Sequence, residues 1–389
     1  MMMLPNDILL NILIRINSPF KLQRVSKQFN TSIYDNRNRI AYNILQRFGF
    51  YPKLSESYRI YKNFVSKHDM NNIKRDLIEA IKNEYVEVVE FLLTDPNIDP
   101  SADNNRTINY ASHHGYTDIV KVLLDDPRVN PSDNNNFAIE WASYHGHKKI
   151  VELLLADPRV DPSSKNNRAV RDAFYNGHIE IARLLLTDKR VDPSADNNNA
   201  IMMASKYGCV ELVKFLLADP RVDPSSDNNI AIKYASHRGH TEVVKLLLAH
   251  KDVDPTLFDN DSIIMASQNG HTDVVKLLLE DGRADPEADN SYAIRIASYN
   301  GHTEIVKLLL ADKRADPSIC NNWAIMVAST HGYVKIVKLL LADTRVDPSD
   351  KNNSAIKMAS EKGYIEVVKL LLTDSRVTKS LLKLISFKK

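Results

Sequence analysis

Residues 239–249 read GHTEVVKLLLA, and the same phrase returns with small changes every 31 residues along most of the chain. Its glycine recurs at Gly115, Gly146, Gly177, Gly208, Gly239, Gly270, Gly301, Gly332 and Gly363, and only Gly49 and Gly282 fall outside that register. Four residues before each of the nine stands an alanine, from Ala111 to Ala359. One period earlier, Ala80 is followed by Glu84 in the glycine slot and then by YVEVVEFLL, which makes a degenerate first unit. The chain therefore reads as about ten units, the first and last atypical.

Each unit has a physical reading. The glycine ends a short helix, where the backbone turns left-handed and a side chain would be penalised. Before it, Ile or Val at minus seven, Ala at minus four and Ser at minus three line one helical face, and small residues there let neighbouring helices approach. After it, a second and strongly apolar helix carries Thr and an acidic residue in its first turn. Next comes DPRVDPSADNN or a near copy, in which prolines stop the helix and Asn and Asp shape a turn. Helix, turn, helix, loop is too small to enclose a core of its own, so units must stack. The expected fold class is all-α, a helical solenoid.

The pattern G-H-x-E-V-V-K-L-L-L after a short Ala-containing helix resembles the ankyrin repeat over roughly residues 73–380. That resemblance implies a two-helix stack that binds other proteins on its concave face. Two features depart from the family. Its Thr-Pro-Leu-His opening is replaced by stretches such as Arg168-Ala169-Val170-Arg171 and Trp323-Ala324-Ile325-Met326. The period is 31 where the family has 33, and the shortening falls in the loop, so short turned loops with little strand are expected.

Residues 1–70 do not repeat. Leu4-Pro5 is followed by Ile8, Leu9, Ile12, Leu13 and Ile16, one apolar helical stripe. Pro19 breaks it, and Leu22, Val25 and Phe29 mark a second short helix. Leu-Pro, an amphipathic helix and L-x-x-V-S-x-x-F together resemble the F-box, with about two residues fewer between Leu-Pro and Val than that family has. The resemblance implies docking to a Skp-type adaptor of a cullin ubiquitin ligase through Leu4, Pro5, Ile8, Leu9, Ile12, Leu13, Leu22 and Val25. The alternative is an N-terminal helix pair that only caps the solenoid. The expected division is an F-box-like module at 1–35, a helical linker or cap at 36–71, repeats over 72–380 and a tail at 381–389. An F-box joined to a near-identical repeat array rich in Asn, Ile and Lys also resembles products of large DNA viruses of amoebae.

Composition narrows the function classes. The 389 residues carry 51 Lys+Arg against 49 Asp+Glu. Residues 1–71 hold 11 basic and 4 acidic side chains, so the remainder is net negative, and no Lys/Arg run points to nucleic acid. Two cysteines, Cys209 and Cys320, make neither a disulfide framework nor a zinc module. The start MMMLPNDILLNILIRI lacks the basic region of a signal peptide, and no 18-residue apolar run appears. The expected location is cytoplasmic, that of the host for a viral product, with the nucleus as alternative. No phosphate loop, G-x-S-x-G or H-E-x-x-H occurs, so neither enzyme nor cofactor is expected.

Histidine recurs after the glycine at His147, His178, His240, His271 and His302, a fixed slot that reads as a structural hydrogen bond at a helix junction. Carboxylates such as Asp161, Asp192 and Asp223 recur in loop slots that turn chemistry explains, and the Asn pairs read as turn formers. Asp172 and Phe174 depart from their slots and read as drift. Positions that vary between units are the candidates for target binding: Tyr144, His145, Tyr175, Lys206, Tyr207, His237, Arg238, Tyr299 and His331 just before the glycines, with Phe137, Arg168, Ile230, Tyr292 and Trp323 nine before. Aromatic and Arg side chains are enriched among binding hot spots. The expected partners are a Skp-type adaptor and an unidentified target protein, with no nucleic acid and no membrane, for a chain monomeric by itself.

Overall fold

The computed structural model describes residues 73–93 and 98–386. The F-box-like segment, and with it Leu4, Pro5, Ile8, Leu9, Ile12, Leu13, Leu22 and Val25, lies outside the described residues. Every regular element among the described residues is an α-helix. The chain divides into two compact units, Met1–Val191 and Asp192–Lys389.

The first unit holds four repeats, built from α1 (Ile73–Lys82), α2 (Val86–Leu93), α3 (Ala102–His114), α4 (Thr117–Leu124), α5 (Asp133–Tyr144), α6 (Lys148–Ala156), α7 (Ser164–Tyr175) and α8 (Ile179–Leu186). The second holds six: α9 (Ala195–Lys206), α10 (Val210–Leu217), α11 (Ser226–Arg238), α12 (Thr241–Leu248), α13 (Leu257–Asn269), α14 (Thr272–Asp281), α15 (Ala288–Asn300), α16 (Thr303–Asp312), α17 (Ile319–Thr330), α18 (Val334–Ala342), α19 (Asp350–Glu361) and α20 (Ile365–Leu372). A last helix, α21 (Ser375–Ser386), packs against α19 and α20 and runs through residue 380. Within each unit the first helix of a repeat packs on the first helix of the next, and the second on the second. The expected small residues form the seam. Ile232, Ala235 and Ser236 of α11 are buried, as are Ile263, Ala266 and Ser267 of α13, while Val243, Val244 and Leu247 of α12 fill the layer behind.

The repeat glycines turn left-handed, with φ between +69° and +83°, and Glu84 of the degenerate first repeat takes the same turn at +56°. Conformation is only half of the reason for glycine. The ring of the residue after the next repeat's glycine lies on it: a Cβ added at Gly239 would stand 2.5 Å from the His271 imidazole, and one at Gly332 would meet Tyr364 at 2.6 Å. His147, His240, His271 and His302 bring Nε2 to 3.0–3.1 Å from a backbone carbonyl of the preceding repeat. The fixed histidine slot is a joint between repeats.

The shortened loop contains no strand among the described residues. Asp161 closes a turn by accepting from the amide and hydroxyl of Ser163 at 2.9 and 2.6 Å, and Asp192 and Asp223 do the same for Ser194 and Ser225. Three consecutive left-handed residues follow, such as Asp227-Asn228-Asn229 and Lys351-Asn352-Asn353, closed by a hydrogen bond that the third residue's N–H donates to the carbonyl four before it. Ordinary side chains lose roughly 1–2 kcal/mol per residue in this conformation and Asn much less, which explains the Asn pairs.

The Asn in the third place of each turn has a further role that its regularity hid. Asn136, Asn198, Asn229, Asn260 and Asn322 are buried, and each Oδ1 accepts the backbone amide 25 residues on, in the next repeat's loop, at 2.7–2.8 Å. A second peg is the Arg of the Asp-x-Arg stretch at the end of most second helices. Arg283 is held by Asp281 at 2.7 Å and donates to the carbonyls of Val253 (2.6 Å) and Leu248 (2.9 Å) in the preceding repeat. Arg128, Arg159, Arg190, Arg314, Arg345 and Arg376 repeat the clamp. One joint inverts it: His250 stands in the Asp slot and Asp252 in the Arg slot, 3.8 Å apart.

Candidate functional site

With Ala, Ile, Ala and Ser at minus eight, seven, four and three facing the seam, the helical period places minus nine, six, five, two and one on the opposite arc of each first helix. That arc is exposed or half-buried at most positions and buried at Glu140, Asn199, Met203, Ile264 and Val327. Every target-binding position expected from the sequence sits on these helices or at the residue that ends them. Tyr144, Tyr175, Tyr207 and Tyr299 are exposed. Phe137, His145, Lys206, His237, Tyr292, Trp323 and His331 are half-buried, and Arg238 is exposed.

In the first unit the structure gathers Phe137, Tyr144 and His145 around a residue the sequence reading passed over, Trp141 at minus five. Its indole stacks on His145 at 5.3 Å and 11° and meets Phe137 and Tyr144 edge-on at 5.3 and 5.6 Å. His113 of α3 closes the group, edge-on to Trp141 at 4.5 Å, with its Nδ1 3.1 Å from His145 Nε2. Equivalent slots in neighbouring repeats lie about a helix diameter apart, but these two histidines occupy non-equivalent slots, minus two and minus one, and they meet. Burial, and then the His145 charge, lower the His113 pKa; burial, and then His147, lower that of His145. Both are held toward the neutral form. Beside them an open cleft of about 390 Å³ is lined by Asp103, Arg106, Tyr110, His114, Phe137 and Trp141, among others. The minus-five slot could have been found, because the period that buries minus seven, four and three sets it on the other side of the helix, where Trp141 and Tyr234 are half-buried and only Met203 and Val327 are buried.

The next repeat carries charge instead. Glu140, 5% exposed, receives Lys165 and Arg168 at 2.9 Å each, and Arg168 reaches Asp172 at 3.4 Å. Burial raises the Asp172 pKa against the opposing Arg168 charge. Phe174, in the Ser slot, is fully buried. The two departures are thus built into the packing, one as core and one in an ion-pair group. Tyr175 shows no ring partner among the described residues.

In the second unit Lys206 Nζ lies over Tyr207 at 5.8 Å and over Tyr234 of the next repeat at 5.5 Å. The Arg295 guanidinium lies 5.0 Å from the Tyr292 ring and 5.8 Å from that of Trp323. Tyr299 stacks on Trp323 at 6.1 Å and meets His331 edge-on at 4.9 Å. Four separately nominated residues, Tyr292, Tyr299, Trp323 and His331, form one surface across α15 and α17, organised by Arg295. His237 lends its carbonyl to His271, and burial followed by the Arg238 charge lowers its own pKa. Ile230 is half-buried at the start of α11. No group of three or more His, Cys, Asp or Glu among the described residues has a metal-holding arrangement, and no described helix is long and apolar enough to cross a membrane.

A family model described as ankyrin repeats, in three copies, matches residues 77–166, 168–259, 201–290, 233–321 and 294–380. The chain belongs to the ankyrin repeat family. Among solved structures, an ankyrin repeat domain from Acinetobacter baumannii AYE is similar at 26% identity and a TM-score of 0.37, covering 44% of this chain and 96% of that one. No match was found among curated proteins. Ankyrin repeats imply a protein–protein interaction module, typically a non-enzymatic scaffold that binds a partner protein.

Proposed function

We propose that this ankyrin array is the target-binding part of a substrate receptor for a cullin-type ubiquitin ligase. The exposed arc of the first helices holds the target, and the N-terminal F-box-like segment docks a Skp-type adaptor; the transfer chemistry belongs to the partners. The observation that carries the binding half is the gathering of aromatic and cationic side chains, Trp141 with its histidines and Arg295 with Tyr292 and Trp323, at positions the stack leaves free. Such side chains dominate binding energy where they form clusters. The ligase half rests on Leu4-Pro5, the Ile8–Leu13 stripe and L-x-x-V-S-x-x-F. The proposed setting is the cytoplasm of the host cell of a large DNA virus.

Purified full-length chain and a purified Skp-type adaptor test the ligase half directly. Binding that Leu9→Asp or Ile12→Asp abolishes supports the receptor. An adaptor that does not bind, or binds both variants equally, leaves an ankyrin scaffold or competitor with no ubiquitin link.

A further inference from the structure

In residues 192–389 the first helices α9, α11, α13, α15, α17 and α19 pack in succession, so their exposed arcs form one continuous face. Its charges are unevenly shared. The arc positions hold Lys206, Lys233, Arg238, Arg295, Lys357 and Lys362 against Asp261 and Glu361, whereas the whole segment carries 25 basic and 26 acidic side chains. Lys233 is paired with Asp261 at 2.5 Å. The other five cations have no carboxylate partner among the described residues. On the second helices Lys214, Lys276, Lys307 and Lys369 each pair one turn away with a glutamate, Glu211, Glu280, Glu304 and Glu366, at 2.7–3.8 Å, whereas Lys245, Lys335 and Lys338 have no such partner among the described residues.

Two of the unpaired cations stand among rings. Lys206 lies over Tyr207 and Tyr234, and Arg295 lies between Tyr292 and Trp323, further pinned by its bonds to the carbonyls of Asn290 and Asp289 at 2.9 Å each. Side chains already held in place lose little freedom when a partner binds. The left-handed turns at the helix starts put Asp196, Asp227, Asp259 and Asp289 along one edge of the face, with Lys351 in the last turn. A phosphate backbone, charged at every nucleotide, would meet that acidic edge. Carboxylates separated by neutral residues avoid it.

We infer that this face docks an acidic polypeptide segment whose carboxylates are interleaved with aromatic or apolar side chains. The inference rests on the reading of the first-helix arc as the target surface, and it names the chemistry of the target. Repeats follow one another at roughly 9–10 Å, which an extended chain spans in about three residues.

The probe is therefore an 18-residue fluorescent peptide of repeated Glu-Ser-Tyr, titrated with the full chain by anisotropy beside a Lys-Ser-Tyr peptide and an 18-nucleotide oligo-dT. The expected result is at least tenfold tighter binding of the acidic peptide than of the basic one, weakened as salt screens the charges. Two double reversals, Lys206→Glu with Arg295→Glu and Arg238→Glu with Lys362→Glu, each weaken it at least tenfold while melting is unchanged. Lys245→Glu on α12 changes it less than twofold. Equal binding of the two peptides, tighter binding of oligo-dT, or folded reversal variants that keep full affinity would overturn the inference. An identified target released by Trp323→Ala but retained by the charge reversals would leave the target surface standing and remove only its acidic specificity.

Discussion

Asn321→Ala and Asn322→Ala place the same change at adjacent positions of one left-handed turn, and they separate a backbone cost from a lost joint between repeats. Both residues have positive φ, +61° and +57°, so alanine at either is penalised by about 1 kcal/mol relative to Asn. Asn321 is exposed, whereas Asn322 is 6% exposed, accepts the Asp347 amide at 2.7 Å and donates to Asp350 at 2.9 Å. Leaving the Asp347 amide without its acceptor costs about 1–3 kcal/mol more. Asn321→Ala should then cost about 1 kcal/mol and Asn322→Ala about 2–4 kcal/mol. Asn322→Gly, which removes the bond but relieves the backbone, should fall between them. Because repeat arrays unfold through neighbour interactions and need not be two-state, urea melts are to be paired with hydrogen exchange at the Asp347 amide. Equal costs for the two alanine variants, with Asp347 protection unchanged, would refute the peg and return Asn322 to a plain turn former.

Gly239 and Gly363 share φ +76°, but only at Gly239 would a Cβ meet a neighbour, His271. Gly239→Ala should lower the melting temperature clearly more than Gly363→Ala, and equal shifts would remove the ring-on-glycine joint. Ser236 and Ser267 are fully buried with hydroxyls that have no hydrogen-bond partner, so Ser→Ala there should be neutral or stabilising by up to about 1 kcal/mol in thermal melts. Arg283, Arg314 and Arg345 hold Asp281, Asp312 and Asp343 below the ordinary carboxylate range, and Arg221 lowers Asp219 to about 2. An unfolded Asp takes its proton first as pH falls, so the clamps' stability is present above about pH 4 and is lost toward about pH 2. Acid titration followed by circular dichroism should show a shallower loss for Asp281→Asn combined with Asp312→Asn and Asp343→Asn than for the parent chain.

How much of this was legible varies by element. The glycine register, the Ala and Ser seam and the apolar second helix follow from period and residue size, and each appears where expected. The turn chemistry of Asp161 and the structural role of the histidine slot were also readable, because a residue repeated in every unit answers to the architecture. That same regularity concealed the buried Asn and the loop Arg. Both look like local turn and surface residues, and their partners lie 25 and 30 positions away. Trp141 lies outside the slots beside and nine before the glycine, although the helical period turns minus five away from the seam as well.

By itself, the sequence determined the unit: where each helix stops, which face is apolar, and that no unit can bury that face alone. These are properties of short segments, set by backbone preference and by side-chain periodicity. Only the tertiary structure decided which side chains meet across repeats. Arg295 comes between Tyr292 and Trp323, and His113 meets His145, because the offset between stacked helices brings non-equivalent slots together. No single unit's sequence encodes that offset, which is set by how closely small residues let the helices approach.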